Sequence, residues 1–231
     1  MTRRFLDDRY RGTGNDRQAV QERHGRGVPP TIEVRRAREA DIPVLAEVLA
    51  RAFAEDPALS TFTKRDERQH ERMVAGMEAM LRYGSARLSD TYTTADLTGA
   101  AIWTPPSYPG LALREWPGML RKSLFMCGWR GLVTIRSAHR VLDERLARHI
   151  PEPNYYLSVI GVDPARQGHG VGSALMRPIL ERCDQERVPA SLATNLERNV
   201  RLYERHGFRD VDEVAIPRTT IPTWFMRRDP A

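Results

Sequence analysis

Cysteine is almost missing from this chain: Cys127 and Cys183 are the only two among 231 residues. That excludes a disulfide scaffold and points to reduced thiols in a cytoplasmic protein. Both read as small buried hydrophobes. Long apolar runs are missing too. None reaches the ~18 residues that a membrane span requires, and the first residues hold no apolar core of a secretory leader. No membrane partner is expected. Basic runs interleaved with aromatics are also lacking, so no nucleic-acid partner is expected. No internal repeat is visible, and no metal is expected.

Hydrophobic residues make up 41% of the chain, enough for the core of one domain of ordinary size. The net charge is +6, and residues 1–30 supply +3 of it, with seven arginines against Asp7, Asp8, Asp16 and Glu22. That segment is poor in apolar residues and carries several glycines. It reads as a disordered basic arm ahead of a folded domain over residues 31–231. A monomer or a homodimer is expected.

Periodicity sets out the elements of that domain. Thr31 to Arg36 reads as a strand. Asp41 to Ala54 reads as a helix, with Asp41 as N-cap, Pro43 in the first turn and an apolar stripe of Val44, Leu45, Val48, Leu49 and Ala52. Asp66 to Tyr83 is a second helix, whose stripe of Met73, Met77, Met80 and Leu81 is either core filler or a malleable pocket wall. Arg87 to Thr94 and Gly99 to Thr104 read as a strand pair closed by Trp103. Leu111 to His149 reads as two helices separated near Gly128 to Gly131. Tyr155 to Val162 is apolar and β-branched, a buried strand. Ala174 to Arg187 is a helix, Ala190 to Thr194 a strand. Asn199 is placed to cap a short helix that Gly207 ends in the left-handed conformation. Val211 to Ile216 and Thr223 to Arg227 complete the strands.

Between the buried strand and its helix lies Gln167-Gly168-His169-Gly170-Val171-Gly172-Ser173. Three glycines allow a tight turn and leave no side chains over the amides. Those N–H groups then face outward at a helix N-terminus, where the dipole favours anions. This is a pyrophosphate cradle. The nicotinamide fingerprint Gly-x-Gly-x-x-Gly fails at Ser173, and the ATP-type loop fails for want of a Gly-Lys pair.

The spacing Gln167-x-x-Gly170-x-Gly172 resembles the Gln/Arg-x-x-Gly-x-Gly/Ala signature of the GNAT superfamily of acyl-CoA N-acyltransferases. Tyr203-Glu204-Arg205-His206-Gly207-Phe208 resembles that superfamily's Tyr-x-x-x-Gly-Phe element. The resemblance implies a mixed α/β fold, a central mixed β-sheet flanked by helices, with acetyl-CoA as co-substrate and no metal. Carried over residue by residue, it implies that Gln167, Gly168, His169, Gly170, Val171, Gly172 and Ser173 hold the pyrophosphate. Ile160, Gly161, Val162 and Asn199 also contact the cofactor. Tyr203 brings its phenol near the CoA sulfur. Phe53 to Pro57, Ala101 to Pro106, Glu152-Pro153 and Thr223 to Arg228 are further similar to the puromycin N-acetyltransferase type within the superfamily. One position departs from it. That type carries an acid in a Leu-Glu-Thr string, and here the string is Leu192-Ala193-Thr194. Acetyl-CoA chemistry carries over; puromycin as acceptor does not.

The reaction implied is acetyl transfer to the primary amine of a small molecule. The alternatives are acetylation of protein lysines or N-termini, and a non-catalytic acyl-CoA-binding module. A leaving thiolate needs a proton. A thiol titrates near about 8.5 and a phenol near about 10, so Tyr203 is the candidate acid. A backbone N–H within Val159 to Val162 is placed to stabilise the oxyanion. Glu55, Asp56 and His169 are the candidates for the base, with a phosphate contact the other role for His169. Asp56 and Trp103 are the candidates for contacting the amine substrate, and Trp103 and Trp224 each read as either core or pocket wall.

Overall fold

The structure, a computed structural model, describes residues 32–63, 66–83, 88, 90–108, 110, 112–150, 153–215 and 219–231. The basic arm expected over residues 1–30 lies outside them. Ile32–Ala231 forms one compact unit.

The described strands make a seven-stranded sheet: β1 (Val34–Arg36), β2 (Thr91–Thr94), β3 (Gly99–Thr104), β4 (Tyr155–Val162), β5 (Ala190–Thr194), β6 (Arg209–Ala215) and β7 (Pro222–Arg228). Their order is β1-β2-β3-β4-β5-β7-β6. Every neighbouring pair is antiparallel except β4 and β5. The helices are α1 (Ile42–Ala52), α2 (Pro57–Phe62), α3 (Gln69–Tyr83), α4 (Trp116–His149), α5 (Val171–Glu186) and α6 (Glu197–Glu204). None among the described residues is long and apolar enough to cross a membrane. The mixed α/β fold expected above, a central mixed sheet flanked by helices, is the fold observed.

Two cores sandwich the sheet. On one face Leu175, Met176, Ile179 and Cys183 of α5 pack on Trp103, Tyr155 and Leu157. On the other, Leu45 and Leu49 of α1 and Met73 and Met77 of α3 pack on Ile102 and Val159. Leu157 and Val159 are two apart on one strand yet face opposite cores. The ladder explains this: Ile102 pairs Val159 and Trp103 pairs Leu157, leaving Ser158 as an extra residue on β4. Such a bulge reverses the alternation of side chains and bends the strand.

That bend shapes the molecule. β4 and β5 pair only from Tyr155↔Ala190 to Leu157↔Leu192. Beyond Leu157 the two strands part, β4 following β3 and β5 following β7. A wedge opens in the middle of the sheet, and one edge of β4 turns its peptide groups into it.

Several local expectations are corrected. Asp41 does not cap α1 with its side chain. Its carboxylate turns back to accept from the Arg38 N–H at 2.8 Å and from the Arg35 guanidinium at 2.7 Å, closing a single turn of 3-10 helix before α1. The hydrogen bonds from Arg35 hold that carboxyl below the usual range. Val44 is 48% exposed and lies outside the stripe. Asp66 lies ahead of α3, accepting from the Arg68 N–H at 3.0 Å. One expectation in this part of the chain holds: the run labelled α4 is two helices that meet at Gly128, whose backbone (φ 63, ψ -177) is not helical. Helix α5 starts at Val171, three residues before Ala174, because Gly170 (φ 82) already turns the chain and its carbonyl accepts from the Ala174 N–H at 3.0 Å. Asn199 is no cap: it is the third residue of α6, whose start is instead tied by the Leu196 N–H to Thr194 Oγ1.

Candidate functional site

Two cavities open on the wedge. The wider, about 930 Å³, runs between α1, the outer end of β4, the glycine loop and α6. Its floor is Ile160, Gly161 and Val162, and its rim is Gln167, Gly168, Gly170, Val171, Gly172 and Ser173. Gly168 (φ 78) and Gly170 (φ 82) hold backbone that only glycine adopts without strain. This lets the chain fold back under the first turn of α5, whose N–H groups have no partner within the helix. Gln167 stays out of the way, donating from Nε2 to the Val162 carbonyl at 3.1 Å.

Arg51, Arg166, Arg198 and Arg205 ring this cavity. Arg51 is tied to Asp163 at 2.6 Å and Arg166 to Asp96 at 3.2 Å. The hydrogen bond from Arg51 holds the Asp163 carboxyl below the usual range. Four guanidinium groups around a helix N-terminus make a field that selects a polyanion. A Cβ placed on Gly172 would meet nothing closer than Ile160 Cδ1 and Leu202 Cδ2, both at 4.0 Å. The hydrogen at that position faces open cleft.

The second cavity, about 270 Å³, lies on the other side of the wedge. β4 contributes Tyr156 and Ser158, β5 contributes Ala193 and Thr194, and the second half of α4 closes it with Ala138, His139, Val141 and Leu142. Phe62, Met77, Met80 and Phe225 complete an apolar wall. Met77 is therefore both core filler and pocket wall, while Met73 is core alone.

Phe53, Asp56, Ile160, Asn199 and Tyr203 line both cavities and mark their junction. Tyr203 is buried, its ring edge-on to Phe208 at 6.0 Å. Burial pushes its phenol far above the usual tyrosine range. Tyr156, beside it in the narrower cavity, is pushed up by burial and by its proximity to Tyr203 and Asp143. Asp56 caps α2, its Oδ1 accepting from the Leu59 N–H at 2.8 Å. Burial raises its carboxyl above the ordinary range, against the pull of the Leu59 and Ala58 N–H groups and of Arg198.

The structure thus gathers Ile160, Gly161, Val162, Gln167, Gly168, Gly170, Val171, Gly172, Ser173, Asn199, Asp56 and Tyr203 around one wedge. Two expected residues are elsewhere. His169 is exposed and lines neither cavity; its Nδ1 sits 2.8 Å from the Gln167 carbonyl. Trp103 is fully buried against α5 and lines neither cavity, so it is core rather than pocket wall. Trp224 also packs against that core. Of the base candidates, Glu55 lines only the wider cavity. Ser173 carries an unforeseen partner, His206 Nε2 at 2.9 Å from its Oγ. Burial, then the cations Arg205, Arg228 and Arg177, holds that imidazole below the usual histidine range.

Sequence reasoning missed Tyr156, His139 and the four arginines. Arg166 and Arg198 adjoin the glycine loop and Asn199, a signal that was present. Tyr156 and His139 carry none, because each reaches the site through the bulge and the bend.

Known proteins share this architecture. The model of the family described as "Acetyltransferase (GNAT) family" matches residues 128–208, from the bend of α4 through the glycine loop to Phe208. An uncharacterised N-acetyltransferase of Schizosaccharomyces pombe is 25% identical, covering 86% of this chain and 84% of its own. A Corynebacterium glutamicum protein described as "histone acetyltransferase HPA2 and related acetyltransferase" superposes with TM-score 0.64 at 22% identity, over 87% of this chain and 97% of that one. The Drosophila melanogaster polyamine N-acetyltransferase that forms N-acetylagmatine superposes with TM-score 0.57 at 13% identity, over 86% and 99%. The fold is the GNAT acetyltransferase fold.

Proposed function

We propose that this protein transfers the acetyl group of acetyl-CoA to the primary amine of a small molecule. The observation that carries this reading is the junction: a polyanion cleft and an apolar cavity meet at Tyr203 and Asp56. Acetyl-CoA fits the wider cleft. Its pyrophosphate lies on the loop amides, and its pantetheine arm follows the freed edge of β4 toward the junction. The amine enters from the narrower cavity. Catalysis is mainly positioning of two reactants face to face.

The amine nitrogen attacks the thioester carbonyl once it has lost its proton, and Asp56 is the group at the junction able to accept one. A carboxyl raised by burial is a stronger base than a free one. A peptide N–H on the freed edge of β4 receives the oxyanion. The C–S bond then breaks, the thiolate takes the proton of Tyr203, and the nitrogen gives its second proton to the phenolate, leaving a neutral amide and the CoA thiol. The raised pKa of Tyr203 keeps its phenol protonated throughout the physiological range. The unpaired, buried Cys183 thiol, pushed up to about 12 by burial, stays inert. Two unpaired cysteines fit a cytoplasmic setting.

The largely apolar walls from α4 favour a small acceptor over a peptide. Ala193 lines the acceptor cavity where the puromycin-type string carries an acid. Puromycin is accordingly expected to turn over poorly or not at all. Measured CoA thiol release with puromycin, at rates matching the best amine found, refutes this.

Asp56 gives a pH prediction. Amine capture needs its carboxylate, so kcat/KM should rise with pH through a value above the normal aspartate range. For folding the sign is opposite: a raised carboxyl stabilises the fold fully below its unfolded pKa, and that contribution is lost as pH rises through the folded pKa. Asp56→Asn keeps an acceptor for the Leu59 N–H and removes the buried charge. It should hold or raise Tm at neutral pH, lower kcat/KM roughly 10²-fold and abolish the acidic limb. A pH–rate profile of Asp56→Asn that overlays the wild type removes Asp56 from the reaction.

A further inference from the structure

We infer that the acceptor is a compact apolar monoamine, an arylalkylamine or alkylamine of about nine non-hydrogen atoms, and not a polyamine, an amino sugar or a peptide. This rests on the acetyl-transfer reading and deepens it. Among the described residues lining the narrower cavity, Asp56 is the one carboxylate, and it stands at the junction with the acetyl-donor cleft. It offers one anchor, placed where the reacting nitrogen must lie. Beyond it the ionisable lining groups are His139 and the phenols of Tyr156 and Tyr203, none of them an anion at neutral pH.

The far wall is Phe62, Met77, Met80, Leu142, Val214 and Phe225. A second ammonium pressed against that wall is desolvated without a counter-ion, which is strongly unfavourable. An apolar body released from water there is favourable. Hydroxyl-rich acceptors fare no better at Asn195 and Ser158, whose polar atoms already have partners. Asn195 Nδ2 donates to the Pro222 carbonyl at 3.0 Å and to Thr223 Oγ1 at 2.7 Å, and Ser158 Oγ lies 2.8 Å from Thr104 Oγ1.

Size points the same way. At the ~30 Å³ occupied by one water-sized group, a cavity of about 270 Å³ holds roughly nine. A phenyl ring on a two-carbon chain ending in an amine fills that space; a nucleoside extends beyond it. Met77 and Met80 add tolerance, since methionine fits walls to varied shapes.

The test uses the full-length wild-type protein with saturating acetyl-CoA and follows CoA thiol release. Phenethylamine and hexylamine are compared with putrescine, spermidine, glucosamine and a lysine peptide. The expected kcat/KM for phenethylamine exceeds that for putrescine by about 10²-fold or more. A diamine, sugar or peptide that equals or surpasses the monoamines overturns this substrate class and leaves acetyl transfer standing. Tight calorimetric binding of acetyl-CoA with no release on any amine overturns the transfer reading itself. Met80→Glu plants a carboxylate on the far wall, and it should narrow the phenethylamine-to-putrescine ratio at least tenfold. An unchanged ratio in that variant, folded and active, overturns the assignment of the wall to the amine's body. Where the variant does not fold, the wild-type ratio decides.

Discussion

Tyr203→Phe should lower kcat by about 10²-fold or more while leaving acetyl-CoA affinity near its starting value. On the proposed mechanism the phenol at the junction of the two cavities is the donor, and loss of a general acid costs a rate of that order. The substitution is conservative for packing. The ring stays edge-on to Phe208 and inside the core that holds Met176 and Leu192. The polyanion contacts proposed above lie along the loop and the first turn of α5, not at the hydroxyl. A tyrosine serving only structure would give a different result. Phe would then cost at most one hydrogen bond, about 1 kcal/mol of stability, and spare the rate. Measuring kcat and Tm on the same preparation separates the two. An unchanged kcat leaves thiolate protonation to solvent and removes Tyr203 from the chemistry.

Tyr156 complicates this experiment in a useful way. Its phenol is raised by burial and then by the proximity of Tyr203. In Tyr203→Phe it becomes the nearest surviving phenol of the cavity. Partial rescue by Tyr156 would show as a residual rate that the double variant Tyr203→Phe/Tyr156→Phe abolishes. No single-site reading of the sequence would have chosen that control.

The elements that were legible are those fixed by local pattern. The apolar, β-branched run in Tyr155 to Val162, the stripe in Leu45 to Leu49 and the glycines of residues 168–172 each report a neighbour within a few residues along the chain. Gly207 too was readable, since few residues accept its φ of 84. What escaped depends on pairs far apart. Asp41 looked like a cap until Arg35, on the preceding strand, drew its carboxylate away. Trp103 looked like a pocket wall because it ends a strand near the site, yet β3 alternates regularly and turns Trp103, with Ala101, onto the face packed by α5. The wedge itself is the largest omission. It follows from one extra residue, Ser158, in a ladder whose register no single strand reveals. Tyr203 and Asn199 line the cavities where the resemblance placed them; Asp56 was one of three candidates for the base, and only the fold shows it capping α2 at the junction.

Replacing Gly172 with leucine is expected to abolish measurable acetyl-CoA binding, at least a 10²-fold loss, with the fold intact. Gly172 is a better probe of the loop than Gly170. At Gly170 the backbone is left-handed, so any side chain strains the chain as well as filling the cleft, and lost binding has two explanations. Gly172 sits in the first turn of α5 with ordinary helical backbone. Leucine is a good helix former, and exchanging glycine for it there is favourable by propensity. The added Cβ meets no protein atom closer than 4.0 Å. The rest of the side chain must therefore project into the wider cleft, between Ile160 and Leu202, over the N–H groups of that turn. A pyrophosphate needs those amides bare to approach within about 3 Å. The two effects pull apart in measurement: Tm should stay level or rise, and calorimetric affinity for acetyl-CoA should collapse. Because leucine leaves the charge unchanged, lost binding reports blocked amides rather than a weakened field. Wild-type affinity in Gly172→Leu would mean that the polyanion lies elsewhere along the arginine-lined cleft, and the loop would then be a strand-to-helix turn and nothing more.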